Sequence, residues 1–446
     1  MAPKKIILDT DPGVDDVLAV LLALASPELE TVAITITFGN THAPTAYNNL
    51  LKIYASLARE LVHDADSLKR FPGLAAAGTG RGGSEGKKTV LALGADGPVG
   101  GEKSVAAYFH GTDGLSNISE THPHFDAPQL PAEGAAHEHL ELSKKHASEV
   151  ILDQLRENER GSVTIVALGP LSNLALALAA DPETFARVGQ VIWMGGALDV
   201  PGNTSPVAEF NCFADPYAAY QVMEGVKRGL FRLVMAPLDI TTPHTIPFRQ
   251  LIHTADVNGN GNGDAAATRG KGRGKGEELT PLREFTSAML VRVRGLMQSF
   301  GLPDEMEMHD PVAVWYAIEN PTMTTTTAGA EGRGWKTVPR VFAVERTGEL
   351  TRGMCVVDRR YVSRPPSRPL GFQAVAYPPP VLFCSMGRGT DEEDALRTKS
   401  SISSGKNEDG SAATGKSSRT GAPEVIVGTP GKKVLETLLL GRVFGA

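Results

Sequence analysis

Along the first two hundred residues, short β-branched runs alternate with longer runs of helical period. Residues 4–8 read as a short buried strand and 15–25 as a helix. Residues 32–37 and 45–59 repeat the pair, as do Val163–Ala167 and 171–179. Residues 191–194 and Leu233–Ala236 predict further buried strands. Residues 281–300 and 311–320 predict helices, and 424–427 with 432–443 predict a last strand and an amphipathic terminal helix. No internal repeat interrupts this rhythm. Strand–helix alternation of this kind predicts an α/β fold with a mostly parallel central sheet flanked by helices, in which ligands bind beyond the carboxyl ends of the strands. Polar residues fall at those ends: Asp9 and Asp11 after the first strand, Asn40 after the second, Leu168-Gly169 after Val163–Ala167, and Gly195-Gly196 after Met194.

The first of these junctions is the densest in chemistry. Asp9, Asp11, Asp15 and Asp16 stand in the run D-T-D-P-G-V-D-D, with Pro12 and Gly13 setting the bend and Asp15 and Asp16 on the first helical turn. One or two acids there would serve as caps or complement the helix dipole. Four on one loop repel each other unless a hard, oxygen-seeking cation such as Ca²⁺ or Mg²⁺ neutralises them.

Composition narrows the class. A chain of 446 residues with 41% hydrophobic residues suffices for one large α/β domain or two ordinary ones. The net charge of -7 and a pI near 5.9 argue against nucleic acid or an anionic membrane as partner, leaving a small-molecule substrate. Cys212, Cys355 and Cys384 are odd in number and far apart in sequence, which argues against a disulfide framework and for a reducing compartment. No secretory signal is visible and the apolar runs fall short of a membrane span, so the expectation is a soluble cytoplasmic protein.

Residues 257–276 are Gly, Asn and basic residues, and 387–421 are Ser, Gly, Thr and charged residues. Neither composition offsets its ordering entropy by apolar burial, so both are expected as disordered low-complexity insertions. Residues 78–86 and 127–136 look like smaller loop expansions. Ordered patterning resumes after the second insertion, so residues 1–446 are expected to form a single domain.

The run D-T-D-P-G-V-D-D followed by an apolar helix closely resembles the N-terminal signature of the inosine-uridine-preferring nucleoside hydrolases. Two distant segments fit the same family in the right order: Gly202-Asn203 with Val207-Ala208-Glu209-Phe210-Asn211, and Met308-His309-Asp310-Pro311. The resemblance implies a Rossmann-like nucleoside hydrolase fold, a homodimer or homotetramer, and Ca²⁺-dependent hydrolysis of the N-glycosidic bond of purine or pyrimidine ribonucleosides. It implies Asp11, Asp16, Asp310 and the backbone carbonyl of Leu168, in A-L-G-P-L-S-N, as Ca²⁺ ligands, with Asp9 orienting the loop. Asp15 and Asn211 would bind the 2′- and 3′-hydroxyls, Asn40, Asn203, Glu209 and Phe210 would complete the substrate contacts, and Met194 would pack beneath the sugar. Asp11 is implied as the base that accepts the proton of the attacking water. His309, next to the ligand Asp310, is the first candidate for assisting the departing base, and His110 matches a pocket-edge histidine of the family.

Each assignment has a plainer competitor. Gly202-Asn203 is a common turn pair, Glu209 and Asn211 have the alternate spacing of a solvated edge strand, Met194 beside Trp193 reads as core, and Asp310-Pro311 reads as a helix N-cap and first position. Residues 301–308 precede His309 with Leu302, Met306 and Met308 as an apolar wall and no evident hydrogen-bonding partner for a base. Two other functions compete: a non-catalytic nucleoside-binding protein on the same scaffold, and a haloacid-dehalogenase-type phosphatase, which also opens on a strand and D-x-D. In the phosphatase motif the fourth place after the first Asp is usually Thr or Val where Gly13 stands here, and the pair Asp15-Asp16 has no role in it.

Overall fold

A computed structural model describes residues 2–74, 88–126, 137–253, 279–320, 333–360 and 421–446. Its centre is a nine-stranded sheet. In chain order the strands are β1 (Lys4–Thr10), β2 (Leu29–Ile36), β3 (Thr89–Leu93), β4 (Leu140–Leu142), β5 (Val163–Ala167), β6 (Gln190–Met194), β7 (Leu233–Ala236), β8 (Thr245–Pro247), β9 (Glu305–Glu307), β10 (Lys336–Pro339), β11 (Ala343–Val344), β12 (Cys355–Val356) and β13 (Glu424–Gly428). The large sheet runs β10-β13-β7-β6-β5-β1-β2-β3-β4, while β8 pairs with β9 and β11 with β12 in two small antiparallel sheets. Every pairing in the large sheet is parallel except β10 with β13. Residues 1–358 with 419–446 form one unit and 359–418 a second, of which only 359 and 360 are described. The low-complexity stretch 257–276 lies outside the described residues, as do 78–86, 127–136, Cys384 and all of 387–421 but its last residue.

Alternation along each strand sorts side chains into two layers. Ile6 and Leu8 of β1, Ile192 and Met194 of β6, and Val234 and Ala236 of β7 enter one core with the helices Val14–Leu24, Ala43–His63, Pro281–Ser299, His309–Glu319 and Lys432–Phe444. Ile7, Val191, Trp193, Leu233 and Met235 enter the other, against Ala147–Glu157, Ser172–Ala180 and Pro216–Lys227. The helix Val14–Leu24 is buried on every side, which is why residues 17–25 carry apolar residues without a polar stripe.

The chain order also locates the site. From β1 the chain builds outward through β2, β3 and β4, then returns to β5 on β1's other flank and builds through β6 and β7. The reversal puts the topological switch point between the carboxyl ends of β1 and β5, the crevice in which open parallel sheets bind ligands. Asp9 pairs in register with Thr35 on one side and Ala167 on the other, so the acidic loop and Leu168 emerge side by side. Among the described residues no helix is long and apolar enough to cross a membrane.

Candidate active site

The acidic loop is held from within. Asp16 turns back from the first helical turn, where Oδ1 accepts from the Thr10 hydroxyl at 2.5 Å and Oδ2 accepts from the Gly13 amide at 3.0 Å and from Asn40 Nδ2 at 2.8 Å. Asp11 Oδ2 accepts from the Asn40 amide at 2.7 Å, while its Oδ1 is buried without a hydrogen-bond partner. Glycines make room for this carboxylate, since a Cβ on Gly39 or Gly169 would overlap its oxygens. Asp9 Oδ1 accepts from Thr35 Oγ1 at 2.6 Å and Asn173 Nδ2 at 2.9 Å, and its backbone carbonyl accepts from the Leu168 amide at 2.8 Å.

Tertiary folding adds Asp310 to this cluster. Carboxylate oxygens of Asp15, Asp16 and Asp310, all buried, lie within 4.8 Å of one another. Burial and the charge of Asp16 push Asp15 up to about 7, and burial pushes Asp9 up to about 7. Burial, with the charge of Asp16, holds Asp11 well above the usual carboxylate range. Burial, with Asp15, Asp16 and Asp11, does the same to Asp310. Asp11, Asp15, Asp16 and Asp310, with Asp11 Oδ1 and the neighbouring Asp9 Oδ2 both buried without a partner, form an all-oxygen donor set that suits a hard divalent cation.

Above the cluster opens a cavity of about 580 Å³, on whose wall lie Asp15, Asn40, Leu168, Met194, Asn203, Glu209, Phe210, Asn211, His309 and Asp310, with His110. Asp11 and Asp16 are not on that wall; Asn40 links both of them to it. The segment 203–211 departs from the edge-strand alternative. Glu209 is the N-cap of the helix Phe210–Ala214, with Oε1 accepting from the Asn211 amide at 2.6 Å and Oε2 from the Gly196 and Cys212 amides at 2.7 and 3.0 Å. Asn203 Oδ1 accepts from the Phe210 amide at 2.9 Å, so the Gly-Asn turn is also a brace for this helix. Asn211 Nδ2 donates to the Leu168 carbonyl at 2.6 Å and the Met194 carbonyl at 3.1 Å. Met194 is buried but on the cavity wall, while Trp193 points into the opposite layer.

The helix His309–Glu319 has Met308 at its N-cap, so Asp310 lies in the first turn and not at the cap. His309 is held at both ring nitrogens, Nδ1 by the Thr241 hydroxyl and Nε2 by Glu307 Oε2, each at 2.9 Å. Burial pulls its pKa down, but the hydrogen bond and charge of Glu307, with Asp15 and Glu209, outweigh that and carry it above the usual histidine range. His110 is the opposite case. Burial, with repulsion from Arg292 and His309, lowers it to about 3, and its Nδ1 accepts from the Val14 amide at 3.3 Å. A neutral acceptor of this kind is not an acid for the site.

Several contributors carried no sequence signal. Thr10, Thr35 and Asn173 read as ordinary strand and helix residues. Arg352 donates to the Phe213, Ala214 and Glu102 carbonyls at 3.0, 3.2 and 2.6 Å, securing the far end of the helix that bears Asn211. Glu307 was readable in principle, as the polar position between Met306 and Met308. Cys212 and Cys355, 143 positions apart in sequence, bring their sulfurs to 4.0 Å as buried free thiols with no disulfide between them.

The chain is similar to known proteins in sequence and in fold. Residues 6–371 match the family model described as inosine-uridine preferring nucleoside hydrolase. An inosine-uridine preferring nucleoside hydrolase of Leishmania major is 29% identical over 80% of this chain and 89% of its own length. A pyrimidine-specific ribonucleoside hydrolase of Salmonella arizonae is 31% identical over 80% of this chain and 89% of its own. Among solved structures, a purine-preferring ribonucleoside hydrolase from Gardnerella vaginalis shares the fold, with a TM-score of 0.60 at 20% identity over 99% and 98% of the two chains.

Proposed function

Because the chain belongs to the inosine-uridine preferring nucleoside hydrolase family, we infer that it hydrolyses the N-glycosidic bond of ribonucleosides, with Ca²⁺ bound at the base of the cavity. The observation that carries this reading is the meeting of Asp15, Asp16 and Asp310 within 4.8 Å beneath a cavity of nucleoside size.

Asp11, Asp16, Asp310 and the Leu168 carbonyl would hold the cation, with Asp15 at its border. When bound, such an ion neutralises the crowded acids and lowers the pKa of a water beside it. The orphaned Oδ1 supports Asp11 as the base that takes the attacking water's proton. Asp15 and Asn211 hold the 2′- and 3′-hydroxyls, and Asn40, Asn203 and Glu209 orient or brace that end of the cavity. Cleavage leaves an oxocarbenium-like ribosyl group, whose positive charge the surrounding carboxylates favour. Met194 and Phe210 supply apolar contact and exclude water. His309, with its Nε2 held by Glu307, is the candidate for giving a proton to the departing base. A homodimer or homotetramer acting in the cytoplasm completes the proposal.

Base release from inosine, uridine, cytidine, adenosine and guanosine, measured with and without chelator, tests the reading. Release that stops with chelator and returns with Ca²⁺ supports it. Nucleoside binding without release would favour the non-catalytic alternative. Phosphate release from phosphate esters would favour the phosphatase, a reading to which the family match lends nothing.

A further inference from the structure

Part of the cavity wall is apolar. Tyr108, Val200, Phe300, Leu302 and Met306 line it, and Phe300 remains 61% exposed at the mouth. The acceptors within reach of this wall are nearly all committed. Asp239 accepts from the Leu198 and Asp199 amides at 2.9 and 2.8 Å, and Glu209 already accepts from three amides, with a donor on each oxygen. Both nitrogens of His309 are taken as well. A carboxylate only accepts, so Nε2 carries the proton that it shares with Glu307, and in the resting geometry Nδ1 faces the Thr241 hydroxyl.

Glu307 differs. One oxygen engages His309, while Oε1 has no donor among the described residues, and the side chain lies on the cavity wall with 32% exposure. Its backbone is fixed as the last residue of β9, in register with Thr245 of β8, and the following Met308 amide donates to the His244 carbonyl at 2.8 Å. An open acceptor on a rigid strand, beside apolar lining, reads a ligand edge by what that edge donates.

We propose that Glu307 is a specificity-determining residue for the nucleobase, accepting a hydrogen bond from a ring N–H. The proposal rests on the hydrolase reading above and deepens it. Uracil N3–H and the N1–H of hypoxanthine or guanine satisfy the free oxygen. Cytosine N3 and adenine N1 face it with a lone pair, which leaves the carboxylate unpaired and repelled.

The test compares kcat/KM for inosine, 1-methylinosine, adenosine, uridine, 3-methyluridine and cytidine in the wild type and in Glu307→Gln. In the wild type, N-methylation and replacement of the N–H by a bare nitrogen should each cost about tenfold to a hundredfold, less than at a fully buried reader because Glu307 is partly solvated. Glu307→Gln offers an amide N–H and should narrow or invert the inosine-to-adenosine and uridine-to-cytidine ratios. A wild type indifferent to methylation, or a variant that slows on all substrates in equal proportion, overturns the proposal while leaving the hydrolase reading intact. The methylated pairs decide the matter if the variant does not fold. Absence of base release from every nucleoside by Ca²⁺-loaded wild type overturns both.

Discussion

The side-chain amide of Asn211 donates to the backbone carbonyl of Leu168 at 2.6 Å, across 43 positions of sequence. One side chain thus joins the helix capped by Glu209 to the strand end that carries an implied ligand of the cation. Asn211→Leu removes that donor and, in the proposed mechanism, a hydroxyl contact. An uncompensated buried acceptor costs about 1–3 kcal/mol, so kcat/KM should fall at least about fivefold, with Ca²⁺ affinity reduced much less than in Asp310→Ala. Equal loss of Ca²⁺ in both variants would show that Asn211 serves the cation and not the sugar.

Asp11→Ala and Asp310→Ala should abolish both turnover and bound metal. Elemental analysis of the purified variants, with base release measured alongside, checks this; full turnover in a metal-free sample would refute it.

Gly169 gives a subtler handle on the same acid. A Cβ there would collide with Asp11 Oδ1 and lie 2.9 Å from Thr37 Cγ2, so Gly169→Ala must displace the carboxylate without removing it. We expect a folded protein with a normal circular dichroism spectrum and base release lowered at least about tenfold, since small misplacements of reacting groups are costly. Unaltered kcat would mean that the position of Asp11 is not critical.

Stability should depend on pH in a direction fixed by the acids. Asp9 and Asp15, raised to about 7 chiefly by burial, hold their protons more tightly folded than unfolded. Their contribution to the metal-free protein is therefore complete below the ordinary range near 3.8 and is lost as pH rises towards 7. The gap in Tm between Ca²⁺-loaded and metal-free protein should widen from about pH 5 to about pH 8, because cation binding competes with these protons. A gap that narrows over that interval would contradict the assignment.

Ribose should be required. With Asp15 and Asn211 assigned to the hydroxyl pair, uridine should be cleaved far faster than 2′-deoxyuridine, since a missing hydroxyl leaves buried polar groups unpaired. Comparable rates would remove the assignment.

Much of the architecture was legible because periodicity records burial, and burial is what each strand and helix of the sheet experiences. Val163–Ala167 and Leu233–Ala236 are strands with the bounds their patterns suggest, and the helices at Val14–Leu24 and Pro281–Ser299 lie within a residue or two of expectation. The acidic loop was legible for a different reason: like charges that close in sequence are close in space whatever the fold, so they demand a counter-charge. Only the tertiary structure decided what those acids meet. Asp310 joins Asp15 and Asp16 through the packing of helix His309–Glu319 against Val14–Leu24, a juxtaposition no local pattern encodes. Glu209 became a helix cap because three amides converge on it, one of them from Gly196 in another loop. Cys212 and Cys355 became neighbours, and Glu307 took hold of His309, for the same reason. Hydrophobic patterning specifies which face of an element is buried, whereas the partner across that face is set by the order in which strands assemble around the switch point between β1 and β5.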